Sequence, residues 1–385
     1  MSPTAEYGLD ITATVAALEK RLGTDRYHAI GFPGATDIDF SPVTALANYL
    51  ANNVGDPEIP GAEPRHTKDL EVEVIRKFSK LFGGAPSHWW GYVTSGSTES
   101  NLYGLYLARE RLPRAIVYHS DAAHYSVYKA VRLLGLPTVV IPSTASGEIR
   151  YDALQAAVEK HQRRPAIVAA TIGTTMTEAI DDPKLIEVAL DRAGSTDRHV
   201  HVDAALSGIP LALADRWRSV VQLTDSRGPD SMCVSGHKFL ATPLPCGAVL
   251  VRRDHLDKIR RPIDYIAGPD VTISGSRPGL SALQLWYALQ VKGLSGHEAR
   301  ANAARDLAEY AVNRLRHIGW ECWRHEHAMT VVLRTPPPAA LKRWSLATES
   351  GWSHIVCMPG VRRAQVDHFV ADVELAHRAQ LRDAS

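Results

Sequence analysis

The chain has 385 residues, 45% of them hydrophobic and 22% charged; these are globular proportions, which exclude long disorder, collagen-like repeats and a disulfide mini-scaffold. Lys plus Arg number 43 against 42 Asp plus Glu, a formal charge of +1, so no global field favours a nucleic-acid backbone or an anionic membrane as partner. Cys233, Cys246, Cys322 and Cys357 form no C-x-x-C pair, the first ten residues lack a basic and apolar leader, and no run of about 18 apolar residues occurs, so the expected location is the reducing cytoplasm.

Apolar residues from Leu9 to Leu22 recur at helical spacing and stop at Gly23, after which 31–34 and the Pro/Gly-rich 56–64 read as irregular connections. Residues 1–64 are therefore read as an N-terminal arm. Leu70, Val74, Ile75, Phe78, Leu81 and Phe82 then follow 3–4 spacing into Gly83-Gly84, an amphipathic helix with a glycine stop. Short apolar runs at 115–118, 138–141, 166–172 and 199–202 alternate with helical patterns, which predicts βαβ units in a parallel sheet buried on both faces. Runs 231–234 and 247–251 are separated by too few residues for a crossover helix, so one strand is expected to run antiparallel and the sheet to be mixed. Beyond a helix at 281–292, a helix at 302–317 and strands at 319–323, 329–333 and 354–358 predict a smaller α/β domain. The expected division is arm 1–64, large domain 65–295 and small domain 296–385.

Three stretches at the carboxyl ends of predicted strands can carry chemistry. Thr94 to Asn101 places small hydroxyl residues and Gly96 at a helix start, which suits a phosphate and equally suits an ordinary N-cap by Ser97 or Thr98. His199, His201 and Asp203 share one strand face, open either to a metal or to a single buried carboxylate beside hydrogen-bonded histidines. Ser235-Gly236-His237-Lys238 follows a strand and precedes an uncharged loop containing two prolines, 239–246, where a lysine amine is easier to deprotonate, as a Schiff-base lysine requires. A phosphate cradle, an acidic strand end and then a lysine are in order the parts that hold pyridoxal 5'-phosphate.

On Trp90-Gly91-Tyr92-Val93-Thr94, Gly96-Ser97-Thr98-Glu99, His124-Tyr125-Ser126-Val127, Ser146-Gly147-Glu148-Ile149, Ile172-Gly173-Thr174-Thr175, His201-Val202-Asp203-Ala204-Ala205, Val234-Ser235-Gly236-His237-Lys238 and Ser274-Gly275-Ser276-Arg277, the chain resembles the group II pyridoxal-phosphate amino-acid decarboxylases. Within them it resembles the short branch of bacterial histidine decarboxylases and plant serine decarboxylases. The resemblance runs from about Gly31 to Val373 and implies an α/β, aspartate-aminotransferase-like (fold type I) fold. It implies that Lys238 holds the cofactor as a Schiff base and that Asp203 pairs with the pyridine nitrogen. Gly96, Ser97, Thr98, Ser235 and His237 would hold the phosphate, Ala205 would pack on one ring face, His124 would stack on the other and touch the substrate, and Thr174 would lie at the ring edge. The position without a metal in that family falls on His201. Tyr265 is implied as the Cα proton donor, and 272–277, with Ser276 and Arg277, as a stretch sent across a homodimer interface to the neighbour's cofactor. The chain departs from the pattern at Ala62-Glu63, Pro278 and Leu280, in loops expected near the substrate. The implied reaction takes an L-amino acid, histidine-like or small, aliphatic or modified, to its amine and carbon dioxide. Decarboxylation with deamination, a lyase step, transamination and cofactor binding without turnover are the alternatives.

Overall fold

The computed structural model describes residues 10–224 and 228–383. Runs rich in Val, Ile and Ala become the strands of one seven-stranded sheet, because they are apolar on both faces and helices cover both. These strands are β1 (Trp89–Thr94), β2 (Ile116–Ser120), β3 (Thr138–Ile141), β4 (Ala166–Thr171), β5 (Arg198–Asp203), β6 (Ser231–Ser235) and β7 (Gly247–Arg252), in the order β1-β7-β6-β5-β4-β2-β3. β7 runs antiparallel to both β6 and β1, while β6, β5, β4, β2 and β3 are parallel. The mixed sheet expected from the short 235–246 connection is what forms. A two-stranded ribbon, β8 (Arg261–Ile263) with β9 (Gly268–Asp270), follows. A second sheet then takes β10 (Cys322–Trp323), β11 (Thr330–Arg334), β12 (Ala347–Glu349) and β13 (Trp352–Val356) in the order β10-β11-β13-β12, all antiparallel.

The helices are α1 (Ile11–His28), α2 (Ser41–Thr44), α3 (Lys68–Leu81), α4 (Ser97–Arg111), α5 (Tyr125–Leu134), α6 (Tyr151–Glu159), α7 (Pro183–Arg192), α8 (Gly208–Ala212), α9 (Gly279–His317), α10 (Pro338–Leu341) and α11 (Arg363–Asp383). Local chemistry sets their ends. Asp182 caps α7 by accepting from Lys184 N at 2.8 Å, with Pro183 at the first helical position, where a missing N–H costs nothing. α3 buries Val74, Ile75 and Phe78 and stops before Gly83, whose φ of 77° a residue with a Cβ adopts only with strain.

Two expectations change in extent. The helices read at 281–292 and 302–317 both form within α9: the first ends at Gly293, whose backbone (φ 61°, ψ 177°) is not helical, and the second begins directly after it rather than at 302. The first half of α9 buries Leu285 and Ala288 in the large core and its last turns bury Leu307, Ala311 and Leu315 in the small one, so the helix resumes because both cores need it. α1 likewise continues past Gly23 to His28 and has no buried residue, whereas Ile30 after it enters the small core and Ala35 and Ile38 the large one.

Candidate active site

The carboxyl ends of β4, β5 and β6 bring together the residues that the sequence separates. Thr171, Asp203 and Cys233 are register partners across these strands. Gly96, at φ 147°, leaves the space beside its Cα open and starts α4. The N–H groups of Ser97 and Thr98 have no acceptor within the helix, and the positive end of its dipole lies there. Ser97 Oγ meets Ser235 Oγ at 2.7 Å, joining this cradle to the end of β6 three residues before Lys238. His237 Nδ1 lies 3.1 Å from the Cys246 carbonyl. The cradle, the strand end and the lysine loop therefore form one wall.

Lys238 lies in this wall, and burial pulls its pKa down against the opposing pull of Asp203, Cys233 and Glu178. A readily deprotonated amine beside a carboxylate is what carbonyl condensation needs. Asp203 is buried; its Oδ1 accepts from Ala205 N at 3.1 Å and its Oδ2 from Asn101 Nδ2 at 2.7 Å. His124 caps α5, and its Nδ1 meets Ser126 Oγ at 2.7 Å. Burial holds its pKa below the usual imidazole range, with Lys238 and Lys129 acting in the same sense and Asp203 against them. The ring is thus neutral at pH 7.

His199, His201 and Asp203 do share a strand face, but Ser231 and Asn101 stand between them as hydrogen-bond partners. Thr174 Oγ1 accepts from Ala179 N at 2.9 Å, which shapes the loop after β4. In that loop Glu178, at φ 58°, is buried, and its carboxylate accepts from Ser207 Oγ, Met329 N, Thr330 N and Thr330 Oγ1. It ties the large sheet to β11. A cleft of roughly 1130 Å³ opens between the two sheets, with His124, Thr174, Glu321, Trp323 and Trp352 among its lining.

Two expected site residues lie elsewhere in this chain. Tyr265 is 85% exposed, between β8 and β9. Arg277, expected to cross to a neighbour, is instead turned inward. It is 3% exposed, reaches Glu71 at 3.1 Å and Gly55 O at 2.9 Å, and lies over the Tyr92 ring. The buried Glu71 carboxylate is the reason, since it needs a cation inside this chain. Ser276 Oγ accepts from Asn52 Nδ2 at 3.2 Å.

Sequence reasoning passed over Asn101, Ser126, Ser231 and Glu178. The available signal was Asn101 directly before the apolar stretch 102–108 of α4, a polar residue that must find partners when that stretch is buried.

An α/β sheet with a helix-start cradle, a strand-end carboxylate and a half-buried lysine defines a pyridoxal-phosphate enzyme. The residues fit the group: the open start of α4 at Gly96 adjoins Ser235 through Ser97, and Asp203 places a carboxylate in a buried site. The Pyridoxal-dependent decarboxylase conserved domain matches residues 35–333, and this chain belongs to that family. It is similar to histidine decarboxylase of Mesorhizobium japonicum, 40% identical over 349 residues that cover 91% of this chain and 94% of the relative. It is also similar to histidine decarboxylase of Vibrio campbellii, 39% identical with 91% and 90% covered. Among solved structures, L-methionine decarboxylase from Streptomyces sp. 590 superposes with a TM-score of 0.85 at 26% identity, covering 97% of both chains. Lactobacillus brevis glutamate decarboxylase, at a TM-score of 0.80 and 17% identity over 98% of this chain and 94% of that one, shares the fold. The chain is thus a fold type I, pyridoxal-phosphate-dependent amino-acid decarboxylase, a carboxy-lyase of group II on the histidine decarboxylase branch. Among the described residues no helix is long and apolar enough to cross a membrane.

Proposed function

We propose that this decarboxylase converts L-histidine, or an L-amino acid of comparable size, to its amine and carbon dioxide, in the cytoplasm and as a homodimer. The substrate reading rests on the names of the relatives that match over nine-tenths of the chain. The loop that departs from the branch adds no free charge against it, because Glu63 is held by Arg65 at 2.9 Å. The working organisation is an arm (1–64), a cofactor domain (65–295) and a small domain (296–385).

Lys238 would hold the cofactor's aldehyde carbon, Asp203 its pyridine nitrogen, and the start of α4 with Ser97, Thr98, Ser235 and His237 its phosphate; Ala205 and Thr174 would border the ring. When bound, the cofactor supplies the electron sink for the pair left on Cα as carbon dioxide departs. Asp203 holds a proton on the pyridine nitrogen. His124 orients the substrate carboxylate through Nε2, since Nδ1 is engaged by Ser126. Tyr265, standing free of its own chain, returns a proton to Cα in the second subunit's site. The single observation that carries these roles is the joining of Lys238, Asp203 and His124 in one wall at the ends of β5 and β6.

The test is a panel of L-amino acids assayed for carbon dioxide and amine together. Equal release from histidine, above methionine, glutamate and aromatic substrates, is the expected result. A better substrate elsewhere in the panel overturns the histidine assignment. Aldehyde or keto acid without amine overturns simple decarboxylation, and bound cofactor without product overturns turnover.

A further inference from the structure

A connected series of hydrogen bonds runs from the edge of α4 to the cofactor carboxylate, and its direction is fixed at one end. Arg111 Nη1 lies 3.1 Å from His199 Nδ1, and a guanidinium can only donate. His199 must therefore accept at Nδ1 and carry its proton on Nε2, 3.0 Å from Ser231 Oγ. Ser231 then donates to His201 Nδ1 at 2.8 Å, and His201 Nε2 donates to Asn101 Oδ1 at 2.9 Å. The Asn101 amide is consequently oriented, with Nδ2 toward Asp203 Oδ2 at 2.7 Å and toward Ser126 Oγ at 2.8 Å. Ser126 Oγ then donates to His124 Nδ1 at 2.7 Å, beside a longer approach of the Ser126 backbone N–H at 3.3 Å, so Nδ1 is an acceptor. Cys233 Sγ completes the set at Asn101 Oδ1, 3.1 Å away, so all four of the amide's hydrogen-bonding positions are used.

α4 is built to permit this. A Cβ on Gly104 would stand 2.2 Å from His201 Nδ1, so a glycine, about 1 kcal/mol worse than alanine in a helix, occupies its middle. Burial keeps both strand histidines neutral: it pulls His201 down to about 4 and His199 well below the usual imidazole range, with Arg111, Arg252 and His255 adding to the effect at His199. Asp203 faces His201 and His124, while Lys238 and Lys129 also face His124.

We propose that Asn101 is a positioning residue at the junction of two arms: it aims the Asp203 carboxylate at the cofactor nitrogen and, through Ser126, keeps the proton of neutral His124 on Nε2. The inference rests on the roles given to Asp203 and His124, but its first test does not depend on activity. Nitrogen-15 NMR of histidine-labelled, cofactor-loaded protein at pH 7, assigned with His124→Gln and His201→Gln, should show the Nε2–H form at both positions. A proton on Nδ1 of His201 reverses the series and overturns the proposal whatever the substrate proves to be.

Asn101→Ala should lower kcat on the order of tenfold, as loss of a supporting hydrogen bond does, with KM nearly unchanged and the pH dependence of the cofactor's visible absorbance shifted. Ser126→Ala, which keeps Asn101 and so tests the second arm even where Asn101→Ala does not fold, should shift the acid limb of the kcat/KM profile. A folded Asn101→Ala with the wild-type absorbance titration, or a Ser126→Ala with the wild-type profile, overturns the junction. A substrate panel that fails for histidine leaves these readouts standing, so the two failures are separable.

Discussion

The wall made by α4, β5 and β6 and the segment 261–277 are both rich in polar residues, but they hold them in opposite ways. In the wall, Asn101, Ser126, His201, Ser231 and Asp203 are buried and bonded to one another within one chain. In the segment, Tyr265 and Ser276 stand in solvent, and the cation beside them, Arg277, has been withdrawn to serve Glu71. α1 resembles the segment, with Ile11, Val15, Leu18 and Leu22 all more than 40% exposed along one side. One chain thus buries the residues around Asp203 and leaves Tyr265, Ser276 and the apolar side of α1 exposed. The difference teaches that the carboxylate side of the site is fixed by the folding of one chain, whereas in the proposed homodimer the exposed segment is what association would cover.

Substitutions can break this contrast. The largest effect is expected for Lys238→Ala, which should reduce turnover to background. Borohydride reduction of the wild type should leave the cofactor on the Lys238 peptide, and label on another lysine refutes the assignment. Asp203→Asn, a change inside the completed wall, should retain cofactor while kcat falls about 10²–10³-fold; near-normal rates would make the carboxylate structural. Tyr265→Phe should cost about 10²-fold in kcat if it supplies the Cα proton. Mixing it with Lys238→Ala under subunit exchange should restore activity, because one site of each mixed dimer keeps both groups. Absence of recovery despite demonstrated exchange removes the shared site.

Arg277→Ala sharpens the comparison from the other side. It should destabilise folding by about 3–5 kcal/mol, because it strands a buried carboxylate, and this is read as a lower denaturation midpoint. A stable variant lacking only activity would return Arg277 to the site. The smallest effect is on acid stability. His201 and His297 are each held down to about 4 by burial, so the unfolded chain binds more protons than the native one between about pH 6.5 and 4. Their contribution is complete above pH 6.5 and is lost as pH falls, about 1–2 kcal/mol each by pH 5. A melting temperature that stays level from pH 7 to 5 contradicts it.

Much of this was legible in the chain. The parallel strands show as apolar runs, and the uncharged loop behind Lys238 marks its lysine as unusual. What stayed hidden depends on partners distant in sequence. Nothing near Arg277 announces Glu71, and Ser-Thr-Glu-Ser-Asn reads as a helix cap until β5 brings His201 within reach of Asn101. Gly293 does end one helix, but nothing local shows that the next begins at once, since its anchoring residues Leu307, Ala311 and Leu315 pack in the small core.

The carboxylate of Glu178 also fastens one corner of the cleft. Three of its four donors, Met329 N, Thr330 N and Thr330 Oγ1, come from the second sheet, while Ser207 Oγ stays on the side of the large one. Parting the sheets at that corner would break three hydrogen bonds to a buried charge-bearing group, a cost several times that of one hydrogen bond, so the cleft is pinned where the loop after β4 meets β11.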